Sequence, residues 1–597
     1  MHNLRASTLR RAGALALITS VLLVSCAEDD AGSPDPGQDG VDELSPEEEA
    51  EQEHQQQLEA AQEEIDQWDA ALAGPGEEHR EQAAELVAEM GPEQKAGQVI
   101  IGEYQGTEAA AAAEQIEELD LAGMILMGHN IPGGEHSVDT QALAEQTGLL
   151  AAAGGEDRAV PPIISVDQEG GLVTRVGNPV AEWPTPMGYG AAHHSAEETE
   201  AEQEDEELIL PSSTLTWQGH RLMAQDLHEL GFTVSFAPNA DVTHGAADPT
   251  IGSRSFGSDP QAVSELAVES IRGLAEGGVA GSVKHFPGHG SVSEDSHYTL
   301  PVQEQSLEQL RERDWVPFAE SIEAGVPMVM MGHIDVPALE EGVPSSLSAA
   351  AYGEIRDMGH EGVVVTDAMN MAAIAQTYGG DQAVVDALAA GADLILMPES
   401  APGAHSAILS AVDSGELEQQ RLDEAAERVV ALVLWQQELA AGELSAGPGV
   451  APEHPLLEDQ SQEIAEQMPT ALTSQMVTLV EGQCEAELTE GGIQIQGGTQ
   501  QDRDRLAAAA QEAGLETGWG TTVTLLGGTT PSSGDVVVTV DRPEALAESN
   551  AETKIALNGR SPESFEALIA VLTGAEAPGT LPVEVGEHPV GHSACQN

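Results

Sequence analysis

Gly362-Val363-Val364-Val365-Thr366-Asp367 is a glycine followed by four β-branched residues that stops abruptly at a carboxylate. A run this short and this apolar reads as a buried strand rather than a helix. Seven similar runs flank it, at residues 98–101, 123–128, 162–167, 234–237, 281–284, 327–332 and 393–397. Longer amphipathic stretches rich in Ala and Glu separate them, from about residue 91 to 439. Strands alternating with helices in this way build a parallel sheet. Eight of them in roughly 350 residues predict an α/β fold, a (β/α)8 barrel with insertions, rather than an open sheet. The acidic stretch 195–207 reads as one such insertion. Function in a barrel sits where strands end and loops begin, so the residues just past each run carry the interest.

Three such places carry chemistry. Past the third run stands Asp167-Gln168-Glu169-Gly170-Gly171-Leu172-Val173-Thr174-Arg175, a carboxylate and an arginine around a glycine pair that allows a tight turn. An ordinary ion pair at a loop would look the same. Past the fifth run comes Lys284-His285-Phe286-Pro287-Gly288-His289-Gly290 and then Asp295-Ser296-His297. A lysine and three histidines in one loop is a dense cluster, and Asp295 stands where it can orient His297 and stabilise its charged form. No accompanying carboxylate or cysteine set has zinc-ligand spacing, which disfavours a metal site. Asp367, closing the seventh run, is placed to face the pocket, with a helix N-cap as the alternative.

These motifs, in this order, resemble glycoside hydrolase family 3, and within it the β-N-acetylglucosaminidase branch of the NagZ type. The resemblance runs from Met90-Gly91-Pro92-Glu93-Gln94-Lys95-Ala96-Gly97-Gln98 to about Leu432 and continues more weakly to the end. It implies a retaining exo-hydrolase acting on peptidoglycan fragments or chitooligosaccharides, with no cofactor. Asp367 matches the nucleophile, His297 the histidine acid/base, and Asp295 the partner of that histidine. Asp167, Arg175, Lys284, His285 and the Arg254 of Ile251-Gly252-Ser253-Arg254-Ser255-Phe256-Gly257 match sugar-binding positions. Leu172 stands where many relatives carry an arginine, which puts a secondary polar contact in doubt. A family 3 β-glucosidase or β-xylosidase is the alternative, disfavoured by the Asp295-Ser296-His297 motif. An N-acetylglucosaminide phosphorylase and a non-catalytic sugar-binding lipoprotein are the others.

Beyond the barrel the sequence predicts a linker over 441–470 and a smaller α/β sandwich domain over 471–597. Strands are expected at 476–480 and 492–496, near Val523, near Val536 and near Val583, with helices at 502–513 and 561–572. The family resemblance extends to this domain, which offers no catalytic cluster of its own. Its two cysteines, Cys484 and Cys595, could pair if the chain is exported, or remain free thiols.

At the other end, Arg5, Arg10 and Arg11 precede an apolar run over 12–24 that closes in Leu23-Val24-Ser25-Cys26. That layout is an export signal over 1–25, and the tetrapeptide resembles a bacterial lipobox, implying lipid on Cys26 and a location on the outer face of the plasma membrane. Residues 26–81 are rich in Glu, Gln, Asp, Pro and Gly and read as a spacer ahead of a catalytic barrel over 82–440. A net charge of −82 makes nucleic acid an implausible partner. The expected partners are a carbohydrate and, through the lipid alone, a membrane, for a chain acting as a monomer.

Overall fold

The computed structural model describes residues 74–155, 158–193, 212–441, 461–489, 491–527 and 533–596. The leader, Cys26, most of the 26–81 spacer, the 195–207 insertion and residues 442–460 of the linker lie outside the described residues. Among those described, no helix is long and apolar enough to cross a membrane.

The strands of the first domain are β1 (Ile100–Gly102), β2 (Gly123–Leu126), β3 (Ile163–Val166), β4 (Val234–Ser235), β5 (Ala280–Gly281), β6 (Val283–Phe286), β7 (Met328–Met331), β8 (Val363–Thr366) and β9 (Ile395–Leu396). Every pairing among them is parallel, and β9 pairs back onto β1 with Ile395 opposite Ile100. β5 and β6 are two pieces of the fifth strand, interrupted at Ser282: the first pairs with β4, the second with β7. Single parallel bridges, Asn239 to Lys284 and Val365 to Leu394, join the remaining edges and close an eight-stranded α/β barrel. Each strand is buried along its whole length, which explains why each reads as an apolar run without alternation.

At the amino end of β9 the buried Asp393 accepts from Arg421 at 2.7 Å and Arg428 at 3.0 Å, and is also bonded by Arg356. Its carboxylate takes the Val364 N–H as well, at 2.9 Å, tying β8 to β9. This lock sits at the end of the barrel away from the chemistry, where side chains serve stability.

Two boundaries read from sequence shift. The helix Glu77–Glu89 begins inside the expected spacer and buries His79, Ala83 and Val87, with His79 3.1 Å from Glu438 of the helix Gln419–Ala440. Its buried face is one narrow stripe of three residues in a Glu-rich stretch, which composition alone conceals. The helix Ser461–Met476 likewise starts within the expected 441–470 linker and buries Met468, Leu472 and Met476.

The second domain is a six-stranded sheet of β10 (Thr478–Glu481), β11 (Gly492–Gly497), β12 (Glu516–Thr517), β13 (Thr521–Leu526), β14 (Val536–Thr539) and β15 (Thr553–Ala556), in the order β10-β15-β14-β13-β11-β12. Only β10 runs antiparallel to its neighbour. The strand expected near Val583 does not form. That segment spends its backbone groups on the barrel instead: Thr580 N–H donates to Ala191 O at 2.9 Å and Pro582 O accepts from Ser258 N–H at 3.0 Å. Helices Gln500–Glu512 and Pro562–Leu572 pack on this sheet, and a disulfide joins Cys484 to Cys595. The domain grips the loops that follow β3 and β4. Arg505 reaches Glu182 at 2.8 Å, Thr185 Oγ1 donates to Asn558 O at 3.1 Å, and Arg542 donates to Asp248 O at 2.9 Å.

Candidate active site

The loop after β3 and strand β6 deliver opposite charges to one place. Lys284 Nζ lies 2.9 Å from Asp167 Oδ1 and 2.7 Å from Glu169 Oε1. Arg254, from the short 3-10 turn Gly252–Arg254, donates to both oxygens of Glu169, at 2.9 and 2.7 Å. Such a forked pair fixes both partners in one plane. Burial alone would push the Glu169 carboxyl up, but Arg254 and Lys284 outweigh it and hold the group far below the usual carboxylate range. Burial likewise works against the Lys284 charge, and Asp167 and Glu169 reverse that, raising its pKa. Asp167 keeps a fifth of its side chain exposed, so one carboxylate of the cluster remains open to a ligand hydroxyl.

Arg175 does not join this cluster. Its guanidinium donates to Glu135 Oε1 at 3.0 Å, from the loop after β2, while its backbone N–H donates to Gln168 at 2.8 Å.

His285 is aimed by Asp241, a fully buried residue in the loop after β4. Its Nδ1 lies 2.7 Å from Asp241 Oδ2, and the backbone N–H groups of His285 and His289 donate to Oδ1 at 3.2 and 2.6 Å. Burial would raise the Asp241 pKa, yet the His285 ring brings it down. A carboxylate that takes Nδ1–H leaves Nε2 as the ring atom facing a substrate. No motif includes Asp241, although it stands in the loop at the carboxyl end of a strand run, where a barrel places its functional residues.

Asp367 directly follows β8. Its N–H donates to Met331 O at 2.8 Å and its Oδ1 accepts from the Ala368 N–H at 2.8 Å. It caps no helix: the next one, Ala372–Tyr378, has Met371 at its N-cap and no side-chain cap. Burial opposes the charge on Asp367, but the imidazoles of His333 and His285, the Ala368 N–H and the His297 ring outweigh it, and the carboxyl is held at about 2. His333, also absent from the motif reading, ends the run after β7. It is buried, with Nδ1 2.7 Å from Ser346 Oγ and Nε2 3.0 Å from Ala368 O, and so braces the backbone beside Asp367.

His297 stands on the loop after β6 with 62% of its side chain exposed. Its Nδ1 lies 2.7 Å from Asp295 Oδ1, which also takes the His297 N–H at 2.9 Å. Burial works against the Asp295 charge, and the bonds and charge of His297 together outweigh it, lowering the carboxyl's pKa. The His297 ring also contributes, last among these causes, to lowering the Asp367 pKa. His289 Nε2, 3.0 Å from Ser296 Oγ, connects this loop to the floor. An ionised carboxylate and a carboxylate-oriented imidazole beside a rigid polar cluster are the parts needed to break a glycosidic bond through a covalent intermediate.

Residues 85–432 match the glycosyl hydrolase family 3 N-terminal domain. Beta-hexosaminidase A of Pseudoalteromonas piscicida is 31% identical over 301 residues, 48% of this chain, which spans about half (47%) of that relative. Beta-hexosaminidase LpqI of Mycobacterium tuberculosis is 32% identical over 358 residues, covering 58% of this chain and 84% of the relative. Among solved structures, a glycoside hydrolase family 3 beta-N-acetylglucosaminidase from Paenibacillus sp. str. FPU-7 superposes with a TM-score of 0.69 at 28% identity, over 83% of this chain and 99% of that one. With the family domain spanning more than half of its length, the chain belongs to glycosyl hydrolase family 3.

Proposed function

We propose that the chain is an exo-acting, retaining β-N-acetylglucosaminidase. The observations that support this reading are an ionised, fold-anchored Asp367 whose pKa His297 helps to lower, and the exposed His297 ring with its Nδ1 bonded to Asp295. The family and the activities named for its relatives support the substrate class.

In the first step an Asp367 oxygen attacks the anomeric carbon while the bond to the leaving oxygen breaks and His297 Nε2–H supplies that oxygen with a proton. Asp295, bonded to Nδ1, stabilises the imidazolium beforehand and fixes which nitrogen points at the leaving group. In the second step the neutral imidazole takes a proton from water, whose oxygen displaces Asp367. Asp167, Lys284, His285 and Arg254 hold the non-reducing sugar: the first three present polar atoms to its hydroxyls, and Arg254 keeps Glu169, and through it Lys284, in place.

The lipobox-like tetrapeptide ending in Cys26 supports a lipid-anchored protein on the outer face of the plasma membrane, where peptidoglycan fragments ending in N-acetylglucosamine are the substrate. A panel of nitrophenyl glycosides tests the reading. Cleavage of the β-N-acetylglucosaminide well ahead of the β-glucoside and β-xyloside, with free N-acetylglucosamine as the product in phosphate buffer, is the expected result. Equal cleavage of the β-glucoside revives the glucosidase reading, and accumulation of the 1-phosphate identifies a phosphorylase.

A further inference from the structure

The loop that carries His297 is held at its base by three consecutive residues that no motif singled out. Arg313, Asp314 and Trp315 lie between the helices Leu307–Glu312 and Val316–Glu323. Trp315 Nε1 donates to Pro287 O at 3.0 Å, at the loop's entry. Ser291 Oγ, four residues on, donates its one proton to Asp314 Oδ1. Its oxygen accepts from Arg313 Nη1 at 2.9 Å and lies 3.3 Å from His244 Nε2, so three side chains meet at this hydroxyl. Arg313 also donates to Val242 O at 3.2 Å and Thr243 O at 2.8 Å, in the stretch that begins with Asp241. Between the two sits Gly288, at φ +111°, where an added Cβ would come within 2.9 Å of the Asp314 Cβ.

The other arm of the loop is tied separately. Asp335 N–H donates to Pro301 O at 2.9 Å and Gln303 N–H to Asp335 O at 2.8 Å. Residues 292–300 thus form a flap between two anchors. Within the flap the His297–Asp295 bonds are local, spanning two residues, and Ser296 reaches back to His289. Local bonds set the ring's orientation relative to the flap, not the flap's position over Asp367.

Resting on the function proposed above, we infer that Arg313 and Asp314 are positioning residues for the general acid: through Ser291 they fix the base of the flap and so the aim of His297. Arg313 joins that base to the stretch holding Asp241, so the acid and the sugar-facing His285 share one support. A buried carboxylate serves here because it takes the hydroxyl proton and thereby orients the serine lone pairs toward the arginine.

The demand for acid catalysis grows with the basicity of the leaving group, and this distinguishes a lost aim from a general structural defect. The full chain is assayed as Ser291→Ala and Asp314→Asn against the parent, with 4-nitrophenyl and 2,4-dinitrophenyl β-N-acetylglucosaminides. General acid catalysis contributes about 10²–10⁴-fold, and a displaced acid forfeits part of it. Expected is a fall in kcat/KM of about 10-fold or more on the nitrophenyl substrate and under about 3-fold on the dinitrophenyl one. Azide should yield the β-glycosyl azide, and Ser291→Thr, which keeps the hydroxyl, should recover the parent's ratio. Ser291 is partly exposed, so its variant tests the point even where Asp314→Asn unfolds. An equal fall on both substrates, or no change in either, overturns the inference. A parent that cleaves neither substrate overturns the functional reading, and this one with it.

Discussion

Glu169 binds both Arg254 and Lys284, three residues from separate segments of the barrel domain, with at most 17% of any of the three side chains exposed. His297, by contrast, keeps 62% of its ring in solvent and takes its partner from two positions away in the same loop. The first region is assembled by the barrel and cannot move without breaking buried ion pairs. The second is a local pair whose position depends on what holds the loop. On the proposed function, sugar recognition and the nucleophile would be set by the fold, and delivery of the proton by a loop.

Substitutions in the two regions should therefore fail differently. Asp367→Asn removes the covalent step outright, and kcat should drop by about 10⁴-fold or more while the folding midpoint barely changes. A loss under about tenfold would break the assignment. His297→Ala should cost about 10²–10⁴-fold, with azide restoring turnover of activated substrates. Stability should stay within about 0.5 kcal/mol, as for other exposed positions. With the Asp367 carboxyl held at about 2, no acid limb above pH ~3 should belong to it. The alkaline limb of kcat/KM, which reports loss of the acid's proton, should vanish in His297→Ala.

Glu169→Gln sharpens the contrast from the buried side. Leaving Lys284 and Arg254 with an uncharged partner should destabilise the protein by about 3–5 kcal/mol in denaturant titrations and raise KM, the reverse of the His297 pattern. The smallest effect separates the fold's pH dependence from the site's. Burial raises the Glu276 carboxyl from 4.5 to about 8, against the lowering effect of the Trp217 indole N–H bonded to it at 2.6 Å. The folded state therefore holds this proton more tightly than the unfolded chain. Its contribution is fully present below about pH 4.5 and is lost as pH rises through about 8. Glu276→Gln should flatten the fall in Tm between about pH 5 and 8 and leave the pH profile of kcat/KM unchanged. A change in that profile would show coupling where none is expected.

The barrel was legible because its strands are buried on both faces and read as plain apolar runs, and the residues ending those runs marked Asp367 and Lys284. The residues that sequence reading passed over or placed differently are those whose role depends on a partner far along the chain. Asp241 serves a histidine 44 positions later, and Arg175 turns to Glu135, 40 positions earlier, rather than to the nearby Asp167. His333 looks like any strand-end histidine until Ser346 and Ala368 are seen around it. In the second domain the four-residue β15, with a lysine in it, gave too weak a pattern to be read, and the apolar segment near Val583 gave a false one. The helix at Glu77–Glu89 was hidden by its acidic composition.

The central claim is that one carboxylate, at the end of β8, forms a bond to the sugar. Incubation with a slow fluorinated N-acetylglucosaminyl substrate, followed by peptide mass mapping, tests it directly. The account predicts a single glycosyl adduct on the peptide containing Asp367, absent from Asp367→Asn. An adduct on a different carboxylate, or turnover with inversion and no adduct at all, would contradict it.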